Sequence, residues 1–259
     1  MAVVLALGFL LFAARPVVPA YMAAQRETIL LSAERHGIAP EVVAAVLYNE
    51  MLGQEQRFLS TLLPGDDWVS QTVRDSLLGW HFLTLKQAQW MLKGAAALAG
   101  MNTTVGPTGI RVSVGREIRS EVAVAGGRYH ASGLAERPSL VLDLMSTATA
   151  LEYLAANLER GVRRATAEQA GDWTVCARWH NTGLTADRPD VPRRVWDKGT
   201  HYVARVQAFL PQMTALLHEP VSPPVWRVML PGKTPPDQTS QIGIPARYVR
   251  PAAIIAYAQ

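Results

Sequence analysis

Cysteine is nearly absent from this 259-residue chain. The single Cys176 excludes an intramolecular disulfide and any Cys-rich zinc module. Charge is sparse too, at 18% of residues, and 25 basic against 21 acidic side chains leave a net charge of +4. The excess is modest, and pairs such as Arg163-Arg164 and Arg193-Arg194 stand alone, so no footprint for nucleic acid is present. The six histidines are scattered without paired ligand spacing, and no metal site is expected. A phosphate loop and a dinucleotide fingerprint are both missing, and with them any reason to expect a cofactor. No unbroken apolar run approaches the roughly 18 residues of a clear membrane span. Internal repeats do not occur, which disfavours a solenoid. Strand signals are confined to Gly109–Val114 and Val122–Val124. Disorder is excluded in turn, because 49% of the residues are apolar.

Helix signals fill most of what is there. One helix is predicted from about Ala23 to His36, stopping at Gly37. A second starts at Pro40, carries Val43, Val46 and Leu47 at helical spacing, and ends at Gly53. Asp66 or Asp67 caps a third, which reaches Leu78. Thr84 with Gln87 resembles a capping box for a fourth that ends at Gly100. A regular stripe from Leu144 through Leu151, Ala155 and Leu158 to Val162 predicts one long buried helix. Asp172 caps a short helix that carries Cys176 and stops near Gly183. Thr200 opens the last, bent or broken at Pro211.

The two ends differ from this body. Ala2 to Ala14 is continuously apolar and is followed by Arg15 and Pro16, a length that suits a secretory leader better than a spanning helix. Three readings stand: a leader cut near Val18-Pro19-Ala20, an uncleaved membrane anchor, or a buried N-terminal helix. The first two export the protein to the periplasm, cell envelope or exterior. Prolines interrupt residues 219–245, which read as a linker or extended arm, and Ile244–Ala258 is apolar enough to pack back on the domain. The division is therefore a leader or anchor over 1–22, a mainly α domain over 23–218 and a proline-rich arm over 219–259.

Four local features carry chemistry. Glu50 stands beside Leu47, Tyr48 and Met51; burial among apolar groups would raise its pKa and let it hold a proton as a general acid for glycosidic cleavage. A solvated helix-end glutamate is the plainer meaning. Thr104-Val105-Gly106-Pro107-Thr108-Gly109-Ile110 offers a hydroxyl and two glycines that permit close backbone approach, or is simply a turn. Trp179-His180-Asn181-Thr182-Gly183 ends a helix with an amide and aromatic rings facing a cleft, or with an ordinary glycine cap. Tyr202-Val203 sits on the last helix, where core packing is the alternative. A thiol enzyme built on Cys176 and His180 has poor geometry, since the two are i,i+4 on one helix.

In their order these segments resemble the lytic transglycosylases and the wider lysozyme-like superfamily. Glu50 falls at the family's catalytic glutamate and Thr104, Gly106 and Ile110 at its Ser-x-Gly-x-x-Gln-Ile segment. Tyr153-Leu154 matches a Tyr-Leu pair on a long helix, Asn181 and Gly183 the Ala-x-Tyr-Asn-x-Gly motif, and Tyr202-Val203 the final helix. The resemblance covers about residues 27–217. Gly109 stands at the usual glutamine, His180 at the usual tyrosine and Met51 at the usual serine. A helical insertion, about 54–100, takes the place of a short loop.

The resemblance implies a lysozyme-like helical fold with peptidoglycan glycan strands as partner. It assigns Glu50 as the acid and base at the bond between N-acetylmuramic acid and N-acetylglucosamine, with Thr104, Gly106, His180, Asn181 and Tyr202 binding the sugar chain. Trp179, Trp80 and Trp90 would add stacking faces. A lysozyme-type hydrolase would need a second acid, for which Asp66, Asp67 and Glu55 are candidates. The reading from another class is a non-catalytic wall-binding or assembly module on a degenerate fold of the same kind. The N-terminal segment adds an expected association with membrane.

Overall fold

The computed structural model describes residues 17–127 and 135–218, and these form a mainly α-helical domain. The apolar run Ala2–Ala14, the arm over 219–245 and the apolar end Ile244–Ala258 lie outside the described residues. The helices are α1 (Val17–Ala24), α2 (Arg26–His36), α3 (Pro40–Leu62), α4 (Trp68–His81) and, after a π-helical turn (Phe82–Lys86), α5 (Gln87–Leu98). A two-stranded antiparallel hairpin follows, β1 (Thr104–Val105) and β2 (Ile110–Arg111), with Thr104 opposite Arg111 and Val105 opposite Ile110. Then come α6 (Val112–Val124), α7 (Glu136–Met145), α8 (Thr147–Arg163), α9 (Trp173–Thr182) and α10 (Arg193–His218).

Helix α8 is the centre. Leu151, Tyr153, Leu154, Ala155, Ala156 and Leu158 are all buried, so this helix is covered on every side, by α2, α3, α6, α7 and α9. Two of its carboxylates tie it to α2, Glu152 buried and Glu159 partly exposed. Glu152 is held by Arg35, and Glu159 by His36 Nδ1 at 2.7 Å, which ties α2 across α8. Tyr153 donates to Asp143 Oδ2 at 3.2 Å. Helix α10 lies along α3 and buries Tyr202, Val206, Phe209 and Met213 against it. Cys176 is buried, donates to the Trp173 carbonyl at 2.9 Å, and has its thiol pushed by burial up to about 12. It is a packing residue.

Local signals placed several ends correctly: Gly37 and Gly183 cap α2 and α9 in the left-handed conformation, and Asp67 and Asp172 cap α4 and α9 with their carboxylates. Elsewhere tertiary contacts override them. Gly53 does not stop α3; a Cβ there would fall 2.2 Å from Asn49 Oδ1, so the glycine makes room for that side chain while the helix continues to Leu62. Thr84 opens no helix, because its hydroxyl bonds back to the Trp80 carbonyl inside a continuous α4–π–α5 rod. The stripe from Leu144 to Val162 is split at Ser146, whose extended backbone ends α7 and starts α8. The extended readings shrink as well. Val122–Val124 is helical because Val112, Gly115, Ile118 and Val122 bury one face of α6. Thr200 is interior to α10, which starts at Arg193 and runs through Pro211.

Candidate active site

Glu50 lies midway along α3, and its neighbours on the helix are core: Val46, Leu47, Met51 and Leu52 are fully buried. Its carboxylate emerges where the other segments converge, 22% exposed. Gly109, in the hairpin turn, lies directly against it, and a Cβ there would come within 2.2 Å of Oε2. With φ at +65°, the position is also one an L side chain adopts only with strain. The lack of a side chain at this position is therefore what admits the carboxylate. His180, at the end of α9, brings Nε2 to 3.8 Å from Oε1, and its own side chain is only 3% exposed. Tyr202 on α10 buries its hydroxyl beside Glu50 and Asn49, without a well-formed hydrogen bond to either.

A chain of bonds behind His180 fixes which nitrogen carries its proton. The Trp179 indole N–H can only donate, and it donates to Asn157 Oδ1 at 3.3 Å. The Asn157 amide N–H₂ therefore faces His180 Nδ1 at 3.0 Å, so Nδ1 accepts and the ring proton sits on Nε2, pointing at Glu50. With one nitrogen bonded to Asn157 and the other aimed at the carboxylate, the ring serves Glu50 directly.

The electrostatics run opposite to the expectation from sequence. Burial alone raises the pKa of Glu50, as expected. The Nε2 proton of His180, the Tyr202 hydroxyl and the charge of Lys86 together outweigh it and hold the carboxyl below its ordinary value. The Tyr202 hydroxyl is pushed well up by burial and by the adjacent Glu50 charge, so it stays protonated and able to donate.

The remaining expected positions divide. Thr104 faces the insertion, where Lys93 Nζ donates to its hydroxyl at 3.3 Å. Gly106 packs the hairpin onto the end of α7, where a Cβ would overlap the Leu144 carbonyl. Asn181 follows His180 with its Oδ1 buried and unbonded. Trp179 is engaged by Asn157 and by Arg164, 4.5 Å above its ring, and Trp90 stacks edge-on against Phe82 at 5.7 Å. Tyr153 and Leu154 are core. None of the three candidate second acids is free at the site. The Asp66 side chain is 99% exposed, Asp67 is consumed as the α4 cap, and Glu55 is bound by Lys86 at 3.0 Å and His81 at 3.1 Å.

Sequence reasoning missed Asn157, Lys86 and Thr108. Asn157 stands beside the apolar stripe of α8, a lone polar residue between Ala156 and Leu158 and one turn after Tyr153, which is a visible signal. Lys86 is identifiable only once the α4–α5 rod is folded back over α3. Thr108, next to Gly109, has a buried hydroxyl with no partner, as does Asn181 at Oδ1; such groups are the ones a polar ligand would satisfy. Beyond Gly53, a cavity of about 480 Å³ opens between α3 and α10, bordered by Arg57, His201 and Arg205. Compared with known proteins, the chain matches no family model, and no curated protein or solved structure is detectably similar to it.

Proposed function

We propose that this chain is a peptidoglycan-cleaving lytic transglycosylase on a lysozyme-like fold, using Glu50 as its single acid and base. The observation that carries the reading is the convergence on one carboxylate of Gly109, His180 and Tyr202, three sequence-distant residues taken from the segments that resemble the family's motifs. The partner is the glycan strand, and the place of action is the cell envelope, reached through export with the N-terminal segment as leader or anchor.

The chemistry follows from what Glu50 touches. Its carboxyl, once protonated, gives the proton to the oxygen joining N-acetylmuramic acid to N-acetylglucosamine. That bond breaks with positive charge developing at the sugar carbon. The carboxylate left behind accepts the proton of the same sugar's C6 hydroxyl, whose oxygen closes onto the carbon to give a 1,6-anhydro end. No water is consumed. The engagement of Asp67 and Glu55 elsewhere, and the exposure of Asp66, favour this route over hydrolysis, which needs a carboxylate to position water. The lowered proton affinity of Glu50 favours the base half of the cycle, while the acid half draws on the protonated fraction and is promoted by acidic conditions. His180 is a positioning residue that holds the carboxylate.

The test incubates purified peptidoglycan with wild type and Glu50→Gln and reads the muropeptides by mass spectrometry. Anhydro ends from the wild type, lost in the variant, are expected. New reducing ends would make the protein a hydrolase, and intact glycan would leave the wall-binding module.

A further inference from the structure

The outward side of the α4–π–α5 rod is built the reverse of an ordinary surface helix. Most of the large apolar side chains that stand exposed among the described residues fall between Phe58 and Met101. Along the rod, Leu85, Met91, Leu92 and Leu98 are exposed at about two-turn spacing, with Met91 at 67% and Leu92 at 72%, and the exposed Ala88 and Ala95 fill the turns between them. No charged residue from 82 to 101 is exposed. Lys86 and Lys93 are turned inward, to Glu55 at 3.0 Å and to the Thr104 hydroxyl at 3.3 Å. A soluble helix places its charges outward, and contiguous apolar exposure of this kind marks a surface made to be covered.

We infer that this face lies on a lipid surface, with α5 in the plane of the interface and its apolar side among the acyl chains. Three observations select lipid over protein. Protein interfaces carry a polar rim and regular hydrogen bonds, whereas the exposed polar side chains here are only Thr84, Gln87 and Gln89. An aromatic ring with a polar edge, Trp68, stands 65% exposed at the start of α4, the type of residue that favours a bilayer boundary. The chain also enters the domain beside this rod. Only Arg15 and Pro16 separate the apolar Ala2–Ala14 from α1, and α1 packs on α4 with Tyr21 stacked on Phe82 at 5.0 Å. Helix α1 thus leads onto the rod, and the same rod supplies Lys86 to Glu50. The insertion would hold the candidate cleft at a fixed height above the lipid. Because both lysines point inward, attraction does not depend on lipid charge.

The experiment uses the full chain and phosphatidylcholine vesicles, which carry no net charge. Wild type is expected to float with the vesicles in moderate and high salt alike. Met91→Glu/Leu92→Glu, at two exposed positions, should keep its helical circular dichroism and lose at least about ten-fold in partitioning. A second measurement separates this face from anchoring by the N-terminal segment. An environment-sensitive dye on Leu92→Cys should brighten and shift to the blue on adding vesicles, while the same dye on Val124→Cys, at a position 90% exposed on α6, should not. The buried Cys176 will not compete for label. Equal flotation of the double variant overturns the proposal, as does a Leu92 dye that stays in water. A dimer that the double variant dissolves, with no change in the Leu92 dye on vesicles, overturns it in favour of a second copy of the chain.

Discussion

The two sides of residues 82–101 follow opposite rules. Inward, Lys86 and Lys93 are held within hydrogen-bond reach of fixed partners, and Lys86 also acts on Glu50. Outward, the same stretch presents Leu85, Met91, Leu92 and Leu98 to solvent and no charge at all. Charge placed inside, against partners, sets proton affinities, because the local dielectric is low and geometry is fixed. Apolar groups placed outside contribute little to folding, since they leave water only when something covers them. One element therefore serves the candidate chemistry with one face and is free to serve an interface with the other.

Substitutions at the site that the inner side faces should have the large effects. Glu50→Gln is expected to lower glycan cleavage by about 10²–10⁴-fold, the range for losing a general acid–base group, measured as soluble muropeptide released. Gly109→Ala should follow. Its methyl would displace Oε2, and a misplacement near 1 Å costs about 10²-fold in rate, with a further loss of about 1–2 kcal/mol in stability for the left-handed backbone, read by urea unfolding. Asn157→Leu removes the acceptor of the Trp179 N–H and frees the His180 ring. A fall in cleavage of about five- to ten-fold is expected, equivalent to one hydrogen bond of about 1 kcal/mol.

The acid side of the stability curve gives a finer test of the same site. Glu50 and Glu55 both have folded-state values below the ordinary carboxylate range. A group depressed on folding stabilises the protein above its unfolded pKa and loses that contribution as pH falls through the folded value. Glu50→Gln should therefore flatten the fall in melting temperature below about pH 4.5 relative to wild type. The smallest effect belongs to the outer face: Leu92→Lys should leave stability within about 0.5 kcal/mol, because its side chain is already in water. A large loss there would mean that the face is packed, and the contrast between the two sides would fail.

What the sequence disclosed was local. Gly37, Pro40, Asp67, Asp172 and Gly183 act within one turn of chain, and each bounds a helix as expected. Gly53 and Thr84 carry the same signals, yet their meaning is set by Asn49 and by the continuous rod, contacts that no window of residues reveals. The site divides in the same way. Glu50, His180 and Tyr202 were legible as residues in motif order, and they do meet. Asn157 and Lys86 were not, because they act only once α8 and the rod are in place. The direction of the Glu50 shift was misjudged for that reason: burial can be read from apolar neighbours, but His180, Tyr202 and Lys86 arrive from elsewhere in the fold.

The most direct test of the proposed chemistry is the rate of peptidoglycan cleavage across pH for wild type, Glu50→Gln and His180→Gln. His180 lowers the proton affinity of Glu50, so its removal should raise that affinity and move the activity profile toward higher pH, while Glu50→Gln should be inactive throughout. Cleavage by Glu50→Gln at the wild-type rate, or a His180→Gln profile with the wild-type midpoint, would contradict the assignment of Glu50 as acid and base held by His180.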